Sequence, residues 1–311
     1  MKESIKGLVV TGINNIYTVR ADDRDWLCRI KGKILKAEQR FYNPIAAGDY
    51  VYFLPDTHTR DRGWIESVLE RKSFIMRWNK KRRAPQILAA NIDLLFIVVS
   101  VVSPPFKSRF IDRLLICATV GSARPVIVIN KIDLGLKDEV QKRAKSYREL
   151  GIPVLFTSAV RGEGMEQVTG MMKGKVSVFI GQSGVGKTSI LNAIDPELDL
   201  PTGKVSPKYN RGSHTTNFAR LYQIDEKTQI IDTPGIRELD IYGVEPMDLH
   251  LYFPDFNVYR ESCRYPSCRH LAEPGCAVKE AVARGEIDRE RYESYLRIYN
   301  QLKHEKRYYH G

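Results

Sequence analysis

No apolar run in the chain approaches the ~20 residues of a bilayer-spanning helix. The opening stretch "MKESIKGLVVTG" lacks the apolar core and small-residue cleavage site of a secretory signal. These two absences disfavour membrane and secreted classes, and a cytoplasmic location is the expectation. Cysteine is scarce, five in 311 residues, which excludes a disulfide-built scaffold. Internal repeats and low-complexity tracts are missing, which excludes solenoids and biased tails. What remains is globular: hydrophobic residues make up 43% and aromatics 10%, over a length sufficient for two or three domains.

Acidic charge is also in deficit. Lys and Arg number 49 against 37 Asp and Glu, a formal charge of +12. The excess lies in residues 1–80 (net +5) and 81–240 (net +7), while 241–311 is balanced, with 11 of each sign. The sharpest basic run is "RWNKKRR", 77–83. A basic excess in two adjacent segments favours a polyanionic partner, RNA or DNA ahead of a membrane, since no amphipathic anchor helix is evident. Nothing in the sequence suggests a dimer, so a monomer is expected. Cys28 and Cys117 stand alone in apolar surroundings as core thiols. Cys263, Cys268 and Cys276 crowd into "CRYPSCRHLAEPGC", and in a reducing compartment such crowding points to metal.

The first seventy-odd residues read as short strands between turns: "GLVVTG", "NIYTVRA", "WLCRIKG", "DYVYFLP" and "GWIESVLE". Their alternation predicts a five-stranded β-barrel of the oligonucleotide-binding (OB) type over residues 1–75, followed by a basic linker at 76–91. Such barrels stack bases on aromatics. Tyr17, Trp26, Phe41, Tyr42, Tyr50 and Tyr52 are available, but alternating aromatics in strands are more often core. From residue 92 the rhythm changes. The runs "LLFIVVSVV", "PVIVIN", "PVLFTS", "KVSVFIG", "ARLYQI" and "TQIIDTPG" alternate mostly with helical stretches at 107–120, 138–150, 164–172 and 187–194. Several of these strands are apolar on both faces, which marks a parallel sheet covered by helices, an α/β domain over 92–240. The polar segment 196–216 reads as a mobile loop. Residues 241–311 form a third module, irregular around the Cys/His cluster and helical from about 279. There Tyr292, Tyr295, Leu296, Tyr299 and Leu302 recur at helical spacing as a packing stripe.

The chemistry lies in four motifs. "GQSGVGKTS" (Gly181, Gln182, Ser183, Gly184, Val185, Gly186, Lys187, Thr188, Ser189) fits G-x-x-x-x-G-K-[ST] between a strand and a helix, as a phosphate loop requires. Its backbone N–H groups cradle phosphates, Lys187 reaches the β/γ-phosphates, Thr188 ligates Mg²⁺ and the following helix aims its N-terminus at the anion. "DTPG" closes a strand, where Asp232 can hold Mg²⁺ through water and Gly235 can offer its N–H to the γ-phosphate. "NKID" follows "VIVI". One carboxylate, Asp133, can accept from both guanine donors, N1–H and the exocyclic amine, a pair that adenine lacks. Asn130 can bond the ring and brace the phosphate loop, and the Lys131 stem can cover the base. At the next strand end, "TSA" offers the Ser158 hydroxyl and the Ala159 N–H. The fourth motif, C-x₄-C-x-H-x₅-C (Cys263, Cys268, His270, Cys276), is the Cys₃His set of a closed structural Zn²⁺ site.

All the nucleotide motifs sit at strand ends, where open α/β sheets bind ligands. Their order is inverted, with base reading before phosphate binding. A sheet tolerates such cyclic reordering when the old termini were close in space. The order therefore argues for a circularly permuted P-loop GTPase.

Over essentially the whole length the sequence resembles the RsgA family (also called YjeQ or YloQ), circularly permuted bacterial GTPases that assist maturation of the small ribosomal subunit. The resemblance rests on the barrel, the base motifs, the phosphate loop, "HTT", "DTPG" and the Cys/His module. It implies GTP hydrolysis to GDP stimulated by the small (30S) subunit, late in that subunit's maturation, with contacts to its rRNA and release after hydrolysis. The family's switch typically reads Arg-Gly-Arg-His-Thr-Thr. Here it is "RGSHTT", with Ser213 in place of an arginine. Ile236 follows "DTPG" where Ras-like enzymes place a water-orienting Gln, and the resemblance implicates His214 as the replacement. Thr215 or Thr216 should ligate Mg²⁺ when the loop closes. Two other readings compete. One is an RNA-binding assembly adaptor with GTP as a mainly structural ligand, which Ile236 and the altered switch favour. The other is an ATP-using kinase or ATPase, which Asp133 disfavours.

Overall fold

The computed structural model describes residues 3–31, 41–202, 205–206, 211–212, 218–236 and 239–309. Five strands build the N-terminal barrel: β1 (Ile5–Ile13), β2 (Ile16–Ala21), β3 (Arg24–Ile30), β4 (Tyr50–Pro55) and β5 (Arg62–Val68). Their order is β1-β2-β3-β5-β4, and β4 pairs back onto β1 to close the cylinder. The turns are legible in the chain. Asn14–Asn15 and Asp22–Asp23 adopt positive φ, the two-residue hairpin geometry that Asn and Asp tolerate best. Alternation then sends Val9, Tyr17, Val19, Cys28, Val51, Phe53 and Ile65 inward. Of the barrel aromatics, Tyr17 is core, Trp26 packs on Phe53, and Tyr50 and Tyr52 stay exposed on the outer face of β4.

The basic stretch expected as a linker is structured. β6 (Phe74–Asn79) and β7 (Ala84–Ala90) form an antiparallel hairpin, and four basic residues, Lys80–Arg83, occupy its turn. Charge on one side of the hairpin masks its period, while Ile75, Ala89 and Ala90 are fully buried beneath it.

The central sheet runs β10 (Val154–Thr157), β9 (Arg124–Asn130), β8 (Leu94–Ser100), β11 (Val176–Gly181) and β15 (Gln229–Asp232), all parallel, with β14 (Arg220–Gln223) antiparallel at the edge. All seven residues of β8 are buried. Leu95, Ile97 and Val99 face α1 (Ser108–Val120) and α2 (Asp138–Glu149), whereas Leu94, Phe96 and Val98 face α3 (Met165–Met172) and α4 (Lys187–Ile194). This is the two-faced burial that the doubly apolar strands predict. β14 also pairs with β1 at Thr11–Arg220, joining the barrel to the sheet. Two short strands, β12 (Val205–Ser206) and β13 (Arg211–Gly212), pair with each other.

The C-terminal module is mostly helical: a 3₁₀ segment (Pro246–Tyr252), α5 (Asn257–Arg260), α6 (Ala277–Arg284) and α7 (Arg289–Tyr309). Tyr295, Tyr299 and Leu302 are buried, with Tyr292 and Leu296 packed beside them, so the helical stripe is core. This module shares one continuous core with α1 and with Ile236, Leu239 and Ile241. Among the described residues no helix is long and apolar enough to cross a membrane.

Candidate nucleotide and metal sites

Parallel registry aligns the motifs along one edge. Ser100 lies beside Asn130, Asn130 beside Thr157, Val98 beside Gly181, and Phe179 beside Asp232. The inverted order is thus a matter of connectivity alone.

At the phosphate loop, Gly186 has φ +94, and a Cβ there would lie 2.3 Å from the Asn130 amide. Glycine is required both for the left-handed backbone and for that approach. The loop then opens α4 at Lys187. The Lys187 side chain is buried, and its Nζ donates to the Gly181 and Gln182 carbonyls at 3.0 and 3.3 Å. Burial lowers its pKa to about 8, against the opposing pull of buried Asp232. Thr233 Oγ1 donates to the Phe179 carbonyl at 2.8 Å, and the Ile236 N–H donates to Gly181 at 3.1 Å. A Cβ on Gly235 would come within 2.9 Å of Ser183 Cα, so the "DTPG" turn packs against the phosphate loop.

Asn130 ties the two halves together. It is 2% exposed, its Nδ2 donates to the Val185 carbonyl at 3.0 Å, and its Oδ1 accepts from Thr157 Oγ1 at 3.1 Å and the Ala159 N–H at 3.2 Å. Lys131 has φ +68, and its Nζ donates at 2.6 Å to the carbonyls of both Ser103 and Gly184. Burial lowers its pKa, and Asp133 opposes that shift. Asp133 Oδ1 accepts from the buried Ser158 hydroxyl at 2.6 Å, which orients the carboxylate. Ser158 and Ala159 therefore hold Asp133 and Asn130 in place from behind. Thr157 and the Ser103 carbonyl share this work. Thr157 sits inside "TSA" and was findable, but nothing in the sequence marks Ser103 as the anchor of Lys131.

Ile236 is 4% exposed and its side chain lies in the apolar core. Ser213, His214, Thr215 and Thr216 lie outside the described residues.

In the C-terminal module the ligand atoms of Cys263, Cys268, His270 and Cys276 lie within 4.8 Å of one another. His270 Nδ1 stands 3.6 Å from Cys263 Sγ and 3.4 Å from Cys276 Sγ, and those two sulfurs are 4.0 Å apart. A tetrahedral ion bonded to sulfur at ~2.3 Å spaces its ligands about 3.8 Å apart, so the set fits a metal ion. Burial first, then His250, lowers the His270 pKa to about 4, which keeps the imidazole neutral and able to ligate. Glu273 accepts from the N–H groups of Arg269 and Leu271, and the Tyr292 hydroxyl donates to the His270 carbonyl at 2.7 Å, fixing the loop.

A permuted α/β sheet with a phosphate loop, "DTPG" and "NKID" converging on one edge defines a circularly permuted GTPase. The RsgA GTPase family model matches residues 68–242. Small ribosomal subunit biogenesis GTPase RsgA of Borrelia recurrentis is 39% identical over 302 residues, 96% of this chain and 95% of that protein. Its counterpart in Flavobacterium johnsoniae is 38% identical over 299 residues, covering 94% and 92%. The crystal structure of YjeQ from Thermotoga maritima superposes with a TM-score of 0.74 at 35% identity, covering 96% of this chain and 99% of that one. That of YloQ, a circularly permuted GTPase, gives 0.69 at 28%, covering 97% and 96%. The chain belongs to the RsgA GTPase family and is a GTP-hydrolysing enzyme.

Proposed function

We propose that this GTPase binds the small (30S) ribosomal subunit, assists its late maturation, and hydrolyses GTP when that subunit stimulates it. The observation that carries the reading is the Asn130 strut, which locks a guanine-type base loop onto the phosphate loop. The names of the chain's relatives supply the ribosomal part. In this reading Asp133 accepts from the two guanine donors, oriented by Ser158, while the Lys131 stem covers the base. Gly181 to Ser189 wrap the phosphates. Lys187 loses its two carbonyl partners to the β/γ-oxygens, whose charge raises its pKa and keeps it cationic. Gly235 donates its N–H to the γ-phosphate. Mg²⁺, held by Thr188, Asp232 and one of Thr215 or Thr216, supplies charge neutralisation at the phosphates. His214 positions the attacking water, a task the core-buried, apolar Ile236 side chain cannot perform. The Cys₃His set holds one structural Zn²⁺, and the barrel and this module contact rRNA. The domains run 1–75, 92–240 and 241–311, and the protein works as a cytoplasmic monomer.

Turnover of GTP with and without small subunits, for the natural chain and for His214→Ala, tests this. We expect stimulation by the subunit, and its loss in His214→Ala with nucleotide affinity kept. Equal turnover in the presence and absence of subunits overturns the proposal.

A further inference from the structure

Beside the nucleotide site lies a second cleft of about 550 Å³ that the GTPase chemistry does not use. Gln182 and the Leu239–Asp240 stretch line part of it, and three further parts of the chain build the rest: the β6–β7 turn, the N-terminal end of α1 and the face of α7. These three contribute five cations, Lys80, Lys107, Arg109, Arg113 and Arg297. Among the described residues lining the cleft, Asp240 is the single carboxylate. It is already engaged, with Lys80 Nζ at 2.8 Å and the Gln301 amide at 2.9 Å. Arg113 is committed to the wall, donating to the Leu239 carbonyl at 2.7 Å and to the Gln301 side chain. Lys107 and Arg109 stand exposed at the rim, and neither is held in an ion pair among the described residues. Arg297 is exposed and reaches Glu293 only at 3.9 Å. Folding has therefore gathered like charges around a concavity with one carboxylate to offset them, which costs self-repulsion unless an anion enters.

We propose that this cleft seats the phosphodiester backbone of RNA, with Lys107, Arg109 and Arg297 as its phosphate contacts. The inference rests on the reading of the chain as an RNA-docking GTPase and adds a named surface to it. Two observations favour a polymer over a small anion. The positive surface runs on from the cleft to the exposed Lys81, Arg82 and Arg83 at the hairpin tip, so charge extends well beyond one phosphate. The lining also comes from several separate stretches of the chain, so the cleft is as wide as the junction between them. Gln182 of the phosphate loop lines the same cleft, placing bound RNA directly against the nucleotide site.

The test is equilibrium binding of a short labelled single-stranded RNA to the intact chain across a salt series, in the presence of a non-hydrolysable GTP analogue. Each single-strand phosphate contact contributes ~0.7 to the slope of log affinity against log salt, so Lys107→Ala with Arg109→Ala should flatten the slope by about 1.4. The control pair Lys142→Ala with Lys145→Ala, exposed on α2, should leave the slope as it is. Nucleotide affinity, measured in parallel, should be unchanged in both, which shows that the variants are folded. An unchanged slope in the Lys107/Arg109 variant overturns the proposal, as does equal flattening by the control. Displacement of RNA by millimolar inorganic phosphate also overturns it, since that marks a small-anion pocket. Stimulation of turnover by small subunits that persists in the Lys107/Arg109 variant with its slope unchanged sinks this proposal alone. A natural chain that binds no RNA sinks both readings.

Discussion

Replacing Asn130 with Asp isolates the strut between the two halves of the permuted site. The change keeps the side chain's shape and leaves an oxygen to accept from Thr157 and from the Ala159 N–H. It converts the third contact, Nδ2 to the Val185 carbonyl at 3.0 Å, into two oxygens facing each other. The side chain is 2% exposed, so water cannot repair the loss. A buried acceptor left unsatisfied costs about 1–3 kcal/mol, and more when a charged group faces it. The local penalty is therefore roughly 3 kcal/mol, near a hundredfold in affinity if the phosphate loop must be held for nucleotide to bind. Fluorescent GDP binding measures it, with a thermal melt of the empty protein as the control for global damage. Asn130→Asp binding GDP within about threefold of the natural chain would refute the strut.

Three further outcomes follow from the geometry. Lys187 is buried with a pKa of about 8 in the empty protein, below its ordinary 10.5, so the unfolded chain holds more protons between those values. The empty protein is then penalised by roughly 3 kcal/mol below pH 8 and regains stability as the pH rises toward 10.5. Urea midpoints should show that rise in the natural chain and not in Lys187→Met, and parallel profiles would contradict the assignment. Arg291→Met strands the carboxylates of Asp112 and Asp255, which the guanidinium meets at 2.6 and 2.8 Å, and should cost about 3–5 kcal/mol in urea unfolding. Cys276→Ser should lower metal content from one zinc per chain by elemental analysis and open residues 263–276 to proteolysis, and full metal retention would show that the cluster is not the site.

What the sequence revealed and what it hid divide along a physical line. Short alternating strands between turns gave the barrel, because that signal is local. Donor chemistry marked the nucleotide motifs that the sheet aligns on one edge and the Cys₃His residues that cluster, because few residue types can do those jobs. The β6–β7 hairpin was hidden because its basic turn and mixed outer face swamp the alternation of Ile75 and its partners, and its burial is supplied by α1, which follows later in the chain. The Arg291–Asp112 pair that docks α7 spans 179 residues, and no local pattern encodes it. "TSA" marked Ser158 as part of the guanine pocket, but nothing local in the sequence encodes the hydrogen bond from its hydroxyl to Asp133.

The same distant contacts decide what permutation achieves. With "DTPG" followed directly by the Cys/His module, switch motion has a short covalent path to that module. The structure clamps that path three residues beyond Ile236. The Leu239 carbonyl accepts from Arg113 of α1, the Asp240 carbonyl accepts from the Trp78 N–H of β6, and the Asp240 carboxylate takes Lys80 and Gln301 of α7. Upstream, the residue that follows Phe218 is pinned as well, since Thr11 Oγ1 of β1 donates to the Ala219 carbonyl at 2.9 Å. Ala219 and the Leu239–Asp240 stretch are thus held by two anchors, the barrel on one side and the α1–hairpin–α7 junction on the other. The buried Arg291 network and the shared core bind the C-terminal module to α1.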